Sequence, residues 1–381
     1  MIGEGMMAFS RLFMQPLWYM VIAFSLVLTV WRIKKERQMF GVRIHPVLAE
    51  WTQTKASILY SLLLSLLFIL IGVEVSLAFS FVLAGVALIL TLTGGFRWYS
   101  FIYIGGVALV AALLLNQFSS WTVPVSVTGV AVLLTGVALF EARHLKQLTM
   151  NDTFPERMKG PRGKDIGQHR VRRLQWLPVV TLFPTGGLPE FFYFPLLETG
   201  DGYGLIILPL FSVYEWTARA ELPSVTAEKL SIGMRNLGVL AMLLVAVSYW
   251  VPSVAFAAIG VLVLGRLLLF FKENKTHMSL FHDSTHGLRV LAVVPGSPAA
   301  KLGIEAGEII HKVNGVQVNS EKQMYEQLHF RGAFTKLEIK DRQGEIRHAG
   351  RALYESDHHE LGLIFVRSNH EWEEDIGFSV E

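Results

Sequence analysis

The sequence predicts an α-helical polytopic membrane part followed by a small water-soluble α+β domain. Hydrophobic residues make up 52% of the 381 positions and charged residues 17%, whereas a typical soluble domain has about 25% charged residues. The apolar residues are concentrated in long runs before residue 272. After His277 the pattern changes to period-two alternation with short turns, which is typical of β-strands. We therefore predict a membrane domain over 1–275, a soluble domain over 276–367 and an acidic, disordered or loosely docked tail over 368–381.

About seven apolar runs are long enough, or nearly so, to cross about 30 Å of hydrocarbon as helices that rise about 1.5 Å per residue. The predicted membrane-spanning helices are 14–31, 57–73, 75–93, 99–116, 123–140, 236–250 and 253–271. Trp18, Trp98 and Trp121 fall near the predicted membrane interfaces, where aromatic residues are enriched.

Clusters of basic residues between these runs predict their orientation. Lysine and arginine accumulate on the cytoplasmic side of membrane proteins, so we expect the N-terminus outside and the soluble domain in the cytoplasm. The basic excess is confined to the membrane part, which favours contact with anionic lipid over nucleic-acid binding. A docking surface for a partner protein is the alternative for the cluster that follows the fifth run. The loop residues assigned to lipid contact and topology are Arg32, Lys34, Lys35, Arg37, Arg170, Arg172 and Arg173.

The segment 174–217 is apolar but is interrupted by many prolines and glycines, which break helices. Arg173 and Arg235 flank it and both look cytoplasmic, so it crosses the membrane zero or two times. We expect interfacial or re-entrant helices that are packed against protein, because their backbone groups need partners in an apolar layer. Two short spans are the alternative.

The soluble domain shows several local signals of strands, turns and helices. Ser297 followed by Pro298 predicts a helix start, Asn314-Gly315 predicts a hairpin turn, and Ser320 with Gln323 is a capping-box pattern. The predicted strands are Leu288–Val294, Glu308–Val313, Val316–Val318, Lys336–Asp341, Ile346–Leu353 and Leu361–Val366, with a helix over Ser320–Leu328.

These elements closely resemble the PDZ family, in the circularly permuted form found in bacterial membrane and envelope proteases. The resemblance covers about residues 287–353 and rests on Val-Pro-Gly-Ser-Pro-Ala-Ala from Val294, then Gly303-Ile, Gly307-Glu-Ile-Ile and Val313-Asn-Gly. Glu308 departs from the usual Asp. The resemblance implies a partly open β-barrel with two helices. It also implies that an extended peptide pairs with a strand edge beside a helix.

The candidate groove residues implied by this resemblance are Leu288, Val290, Met324, Tyr325, Leu328, Leu361, Gly362 and Leu363. Core packing is the alternative for Met324 and Leu328. The family's carboxylate-binding loop is not evident before Gly287, and Leu361-Gly-Leu363 is its candidate replacement at the other end of the domain.

No catalytic pattern accompanies this domain, and no cofactor is predicted. The chain has no cysteine, which excludes thiolate catalysis and cysteine-ligated zinc. Membrane proteases with PDZ domains use a His-Glu-x-x-His zinc pair on a membrane helix, and the predicted spans contain no histidine. Asp357-His-His-Glu360 fits a solvated loop better than a metal site. Glu74 and Glu190 lack visible partners for proton relay, which argues against a transporter.

The order of a multi-span part, a broken apolar segment and one C-terminal PDZ domain resembles the MinJ family of Gram-positive rods. This resemblance implies an adaptor that bridges the polar scaffold DivIVA to MinD, and so places the MinC–MinD inhibitor of FtsZ assembly at poles and septa. It implies no residue-level site. The alternative is a non-catalytic PDZ subunit of a membrane protease or an envelope quality-control complex. A third class is a transporter or a degenerate protease.

Overall fold

A computed structural model describes residues 2–40, 47, 55–94, 98–160, 165–186, 202–273, 279–284, 286–330, 334–352 and 361–366. The helices before residue 274 are α1 (Ile2–Met14), α2 (Pro16–Phe40), α3 (Lys55–Ile71), α4 (Leu77–Gly94), α5 (Phe101–Phe118), α6 (Val127–Leu145), α7 (Pro223–Ser248) and α8 (Val254–Glu273). Three strands lie between α6 and α7, namely β1 (Thr153–Lys159), β2 (Asp165–Phe183) and β3 (Gly204–Ala218).

A helix overlaps each of the seven predicted apolar runs. Among the described residues, five helices are long and apolar enough to cross a membrane (α2, α5, α6, α7 and α8), whereas α3 and α4 are apolar but shorter. Helix α2 continues to Phe40, beyond the predicted end, because its last turns contain good helix formers and an Arg32–Glu36 pair one turn apart at 3.2 Å. Helix α1 ends where the first predicted run begins and was not predicted from the sequence.

The segment 174–217 contains two long strands, so the prediction of interfacial or re-entrant helices is wrong for residues 174–183 and 204–217. Strands β2 and β3 pair in an antiparallel register from His169↔Ala218 to Phe183↔Gly204. Residues 187–201 lie outside the described ranges.

Prolines break a helix, but they are compatible with the outer edge of a strand. Pro178 and Pro209 face each other in the hairpin, and β1 pairs with β2 only as far as Val171. The rest of the segment is rich in valine, isoleucine and aromatic residues, which favour strands.

Side chains of α3 bond the outer backbone edge of β2. Ser61 donates its hydroxyl to the carbonyl of Pro178, and the Ser65 hydroxyl accepts the N–H of Val180 at 2.9 Å. The two serines are four residues apart, so they lie on one face of α3. This spacing provides polar partners for a strand edge that has no neighbouring strand, inside an apolar part of the protein.

Side chains of α1 and of Gln15, the residue between α1 and α2, bond the outer edge of β3 in the same way. Arg11 donates to the carbonyl of Leu205 at 2.7 Å, and Gln15 donates to the carbonyl of Ile207 at 2.8 Å. At the far end of the hairpin, the N–H of Leu182 donates to the Val73 carbonyl at 2.9 Å, in the turn between α3 and α4. The β2–β3 hairpin therefore extends alongside the helices from this turn to the opposite end of the helical part.

A buried ion pair joins α6, α8 and β3. Arg266 donates to Glu141 Oε2 at 2.9 Å and to the carbonyl of Val213 at 3.0 Å. The other Glu141 oxygen accepts the hydroxyls of Ser212 and Ser100. Both charged side chains are almost fully buried. Because a buried charge is costly without partners, this network fixes the position of the hairpin against the helices.

The C-terminal domain contains β4 (Leu288–Val293), α9 (Pro298–Lys301), β5 (Ile309–Val313), β6 (Val316–Gln317), α10 (Glu321–Phe330), β7 (Phe334–Lys340), β8 (Ile346–Ala352) and β9 (Leu363–Phe365). The strand order is β8-β7-β5-β4-β9, with β6 paired to β5. Strand β9 is therefore the neighbour of β4, the first strand of the domain, and stands at one end of the sheet.

Candidate peptide-binding site

The candidate peptide-binding site is the free edge of β9, meaning the side of β9 with which no strand among the described residues pairs; Leu363 and Phe365 on this strand are themselves buried, at 6% and 1% exposure. The N–H and carbonyl of Val290 on β4 bond to Glu308 and Gly307 at 2.8 Å each, so they point away from β9. Val290 is the register partner of Phe365, and this pair is therefore a non-hydrogen-bonded pair. It follows that the N–H and carbonyl of Phe365 point outward from β4. Strand alternation places those of Leu363 on the same outer edge.

The turn before β9 is held against α9. The Val294 N–H donates to the Gly362 carbonyl at 2.8 Å, and the Ala299 N–H donates to the Leu361 carbonyl at 3.0 Å. Gly362 has φ +76°, and a Cβ at this position would lie 2.3 Å from Cβ of Ser297. This close approach requires glycine in the segment that we predicted as the replacement for the carboxylate-binding loop.

The predicted groove residues come together in one place. Leu288, Val290, Met324, Leu328, Leu361 and Leu363 are buried in a single hydrophobic core, and Tyr325 packs against it half-buried. Complete burial of Met324 and Leu328 favours core packing, the alternative that the sequence left open for both. A role of these residues in peptide binding stays a prediction.

The β1–β2–β3 sheet packs against the PDZ-like domain. His169 Nε2 donates to the carbonyl of Leu291 at 2.9 Å, and the N–H of Gly167 donates to the carbonyl of Phe281 at 2.6 Å. A small apolar cluster around Phe281, Leu291 and Ile364 fills the contact. This interface has no signal in the sequence, because its β2 residues are separated by more than a hundred positions from their partners.

His169 is held neutral at this interface. Burial lowers the pKa of its imidazole to about 4, and the bond to the Leu291 carbonyl opposes this shift. A carbonyl can only accept, so the proton of the neutral ring is on Nε2. The Thr153 hydroxyl lies 2.8 Å from Nδ1, and the Met150 carbonyl, at 2.8 Å, competes with Nδ1 for its single proton.

Arg157 of β1 reaches the free edge of β9. Its Nε donates to the carbonyl of Phe365 at 2.9 Å. Burial raises the pKa of the Glu321 carboxyl, in the first turn of α10, and the positive charge of Arg157 opposes that rise. Arg157 thus lies between the end of β9 and the start of α10.

The basic residues predicted as loop residues lie instead on regular elements. Arg32, Lys34, Lys35 and Arg37 are on α2, and Arg170, Arg172 and Arg173 are on β2. The expected loop structure is wrong, because the first cluster continues the helix and the second continues the hairpin.

Five of these basic side chains form ion pairs with acidic residues. Arg32 pairs with Glu36, Lys35 and Arg170 with Glu156, Arg170 and Arg172 with Glu215, and Arg173 with Asp152. Lys34 and Arg37 are exposed and are the members of the set best placed to meet lipid headgroups. Lipid contact itself stays a prediction.

Residues 357–360, which carry the candidate Asp-His-His-Glu cluster, lie outside the described ranges. Among the residues that the structure describes, no group of three or more histidine and acidic side chains is placed to hold a metal ion.

Comparison with known proteins defines the class of this chain. Residues 289–329 match the family model of the PDZ domain, so the chain is a PDZ protein with a helical N-terminal region. Over 94% of its length it is 30% identical to the cell division topological determinant MinJ of Bacillus subtilis strain 168, of which it also covers 94%. It is 24% identical to a probable MinJ of Lacticaseibacillus paracasei, over 91% of this chain and 95% of that protein. The chain belongs to the MinJ family of cell division topological determinants.

Proposed function

We propose that this chain is a membrane-anchored adaptor that recruits division-site regulators through a cytoplasmic PDZ domain. It bridges a polar scaffold of the DivIVA type to MinD, and so positions the MinC–MinD inhibitor and controls septum placement. The observation that carries this proposal is the match to MinJ along nearly the whole chain, joined to a PDZ domain whose β9 edge faces away from its own sheet. The adaptor has no enzymatic activity of its own.

Several helices support the membrane anchor. Helices α7 and α8 expose large apolar side chains such as Leu243 and Leu268 along their length, which suits contact with hydrocarbon. The antiparallel β2–β3 hairpin returns the chain to the end from which it left. The end of α6 and the start of α7 therefore lie on the same side of the helical part, and the PDZ domain follows the end of α8 on that side. The exposed Lys34 and Arg37 favour a cytoplasmic assignment for their end of α2.

Anchoring explains how a modest peptide affinity is sufficient. A PDZ domain held at the membrane meets membrane-associated partners at a high effective concentration, so binding gains strength without additional contacts. Recruitment then depends on where the anchored protein accumulates.

Localisation of a fluorescent fusion tests the proposal. We expect enrichment at septa and poles, and filamentous cells when the gene is deleted. A uniform membrane signal with normal cell length contradicts the division role and favours the protease-subunit alternative. A variant that lacks residues 287–381 is expected to reach the membrane but to lose recruitment. Full function of this variant would contradict the PDZ-adaptor mechanism.

Topology is tested separately with a reporter fused after Lys275. We expect a cytoplasmic signal. An external signal would overturn the orientation and would place the PDZ domain on the wall side of the membrane.

A further inference from the structure

The free edge of β9 carries four backbone groups of the kind that an added strand bonds, namely the N–H and carbonyl of Leu363 and of Phe365, both of which are buried residues. The geometry of the Val290–Phe365 pair directs them away from β4. Among the described residues, no strand pairs with this edge of β9. An extended peptide would bind there by β-augmentation.

One of these four groups is already bonded by another part of the chain. Arg157 donates to the Phe365 carbonyl at 2.9 Å, from a strand 208 positions away in sequence. The contact is charge-assisted, because the donor is a guanidinium. A peptide that extends along the whole of β9 would donate one of its own N–H groups to the same Phe365 carbonyl. Arg157 and the peptide therefore compete for one acceptor.

Arg157 also lies near the start of α10. The Glu321 carboxyl in the first turn of that helix is close enough for its pKa to be lowered by the positive charge of Arg157, against the rise caused by burial. Strand β1 forms seven register pairs with β2, one of them at Arg157 itself, and β2 is bonded to the PDZ domain through His169 and Gly167. The backbone of Arg157 is therefore held beside β9 by a sheet that is itself bonded to the PDZ domain.

We propose that Arg157 closes the far end of the peptide groove and competes with the ligand for the Phe365 carbonyl. This inference rests on the proposed function, in which the PDZ domain binds an extended peptide. The groove then accepts a ligand beyond Leu363 only when Arg157 leaves β9. The Arg157 contact of the docked β1–β2–β3 sheet and a peptide that occupies the whole groove exclude each other at the Phe365 carbonyl.

Peptide binding by the full-length protein in lipid nanodiscs tests the competition. The probe is a twelve-residue peptide selected from a random phage-displayed library on Arg157→Gln, with its affinity then measured for wild type and variants. Removal of one charge-assisted competitor should strengthen binding about tenfold relative to wild type. Lys159→Gln removes a positive charge two residues along the same strand and should leave the affinity at the wild-type value. Equal affinities of wild type and Arg157→Gln would overturn the competition while leaving peptide binding intact.

A disulfide provides a second measurement that does not depend on removing Arg157. The chain has no cysteine, and Ile166 and His282 are antiparallel bridge partners between β2 and the segment before β4, a geometry that suits a disulfide. In Ile166→Cys/His282→Cys, oxidation should weaken binding of the selected peptide several-fold, and adding Arg157→Gln to the oxidised protein should restore it. Unchanged affinity on oxidation contradicts the proposal. Failure to select any peptide on Arg157→Gln would overturn both the competition and the peptide-binding function.

Discussion

The buried Glu141–Arg266 pair is expected to contribute strongly to the stability of the helical part. The perturbation is Glu141→Gln, which keeps the side-chain size but leaves the Arg266 guanidinium without a counter-charge. Arg266 retains the Val213 carbonyl at 3.0 Å and lies over the rings of Tyr103 and Phe270, with its Cζ 4.8 and 4.6 Å from their centroids. None of these partners carries a negative charge to replace the carboxylate.

The expected loss follows from the burial of both groups. Arg266 is 2% exposed and Glu141 is fully buried. Breaking a buried ion pair by removing one partner costs about 3–5 kcal/mol, because an uncompensated charge is left in the interior. Arg266→Gln should lose a similar amount. In the double variant the losses should not add, and the coupling energy should be about 2 kcal/mol.

Unfolding of the purified protein in mixed micelles, followed by its helical circular dichroism signal, measures these free energies. The matched control is Arg235→Gln, an exposed arginine on α7, which should change stability by less than about 0.5 kcal/mol. Losses below about 1 kcal/mol for both single variants, or additive losses in the double variant, would refute the assignment of a stabilising buried pair.

Three further predictions concern the hairpin, the interface and the turn before β9. Ser65→Ala removes the acceptor of the part-buried Val180 N–H and should cost about 1 kcal/mol. The control Ser80→Ala removes a hydroxyl that bonds the Ser76 carbonyl just before the same helix and should cost clearly less; chemical denaturation measures both. His169 has its pKa lowered from 6.5 to about 4, so its contribution is complete above about pH 6.5 and about 3 kcal/mol should be lost as the pH falls from there to 4. Thermal unfolding at pH 7.5 and 5 should show this slope, and His169→Gln should flatten it; a parallel profile contradicts the assignment. Gly362→Ala should displace β9 from β4 because of the positive φ and the contact with Ser297, which hydrogen exchange over 361–366 reports; unchanged protection would show that the turn adapts.

The sequence predicted the apolar helices and the elements of the PDZ domain well, because both depend on local patterns. Long apolar runs identify helices such as α5 and α8, and Asn314-Gly315 identifies a hairpin turn wherever it occurs. Placement of Leu361–Val366 as a strand also followed from its local composition, and the structure pairs residues 363–365 with β4.

The β2–β3 hairpin was misassigned because the partners of its outer backbone groups come from helices that are distant in the sequence. The prolines near Pro178 exclude a helix, but the sequence does not show that α3 and α1 supply partners to an exposed strand edge. The serines of α3 at four-residue spacing were the available signal. Arg266 lies within the predicted run 253–271, and its partner Glu141 follows directly on the predicted run 123–140. Their pairing could not be predicted, since an ion pair between two helices has no sequence period.

The β2–β3 hairpin has a consequence for the order in which the chain assembles. Its outer backbone groups bond to Arg11, Gln15, Ser61 and Ser65, which all lie in or next to helices synthesised earlier. An isolated hairpin in hydrocarbon would leave those groups without partners. With the proposed membrane anchor, α1 and α3 must therefore be in place before the hairpin can enter the apolar layer. The PDZ domain that docks on the near end of this hairpin is then attached to a helical part that has already folded.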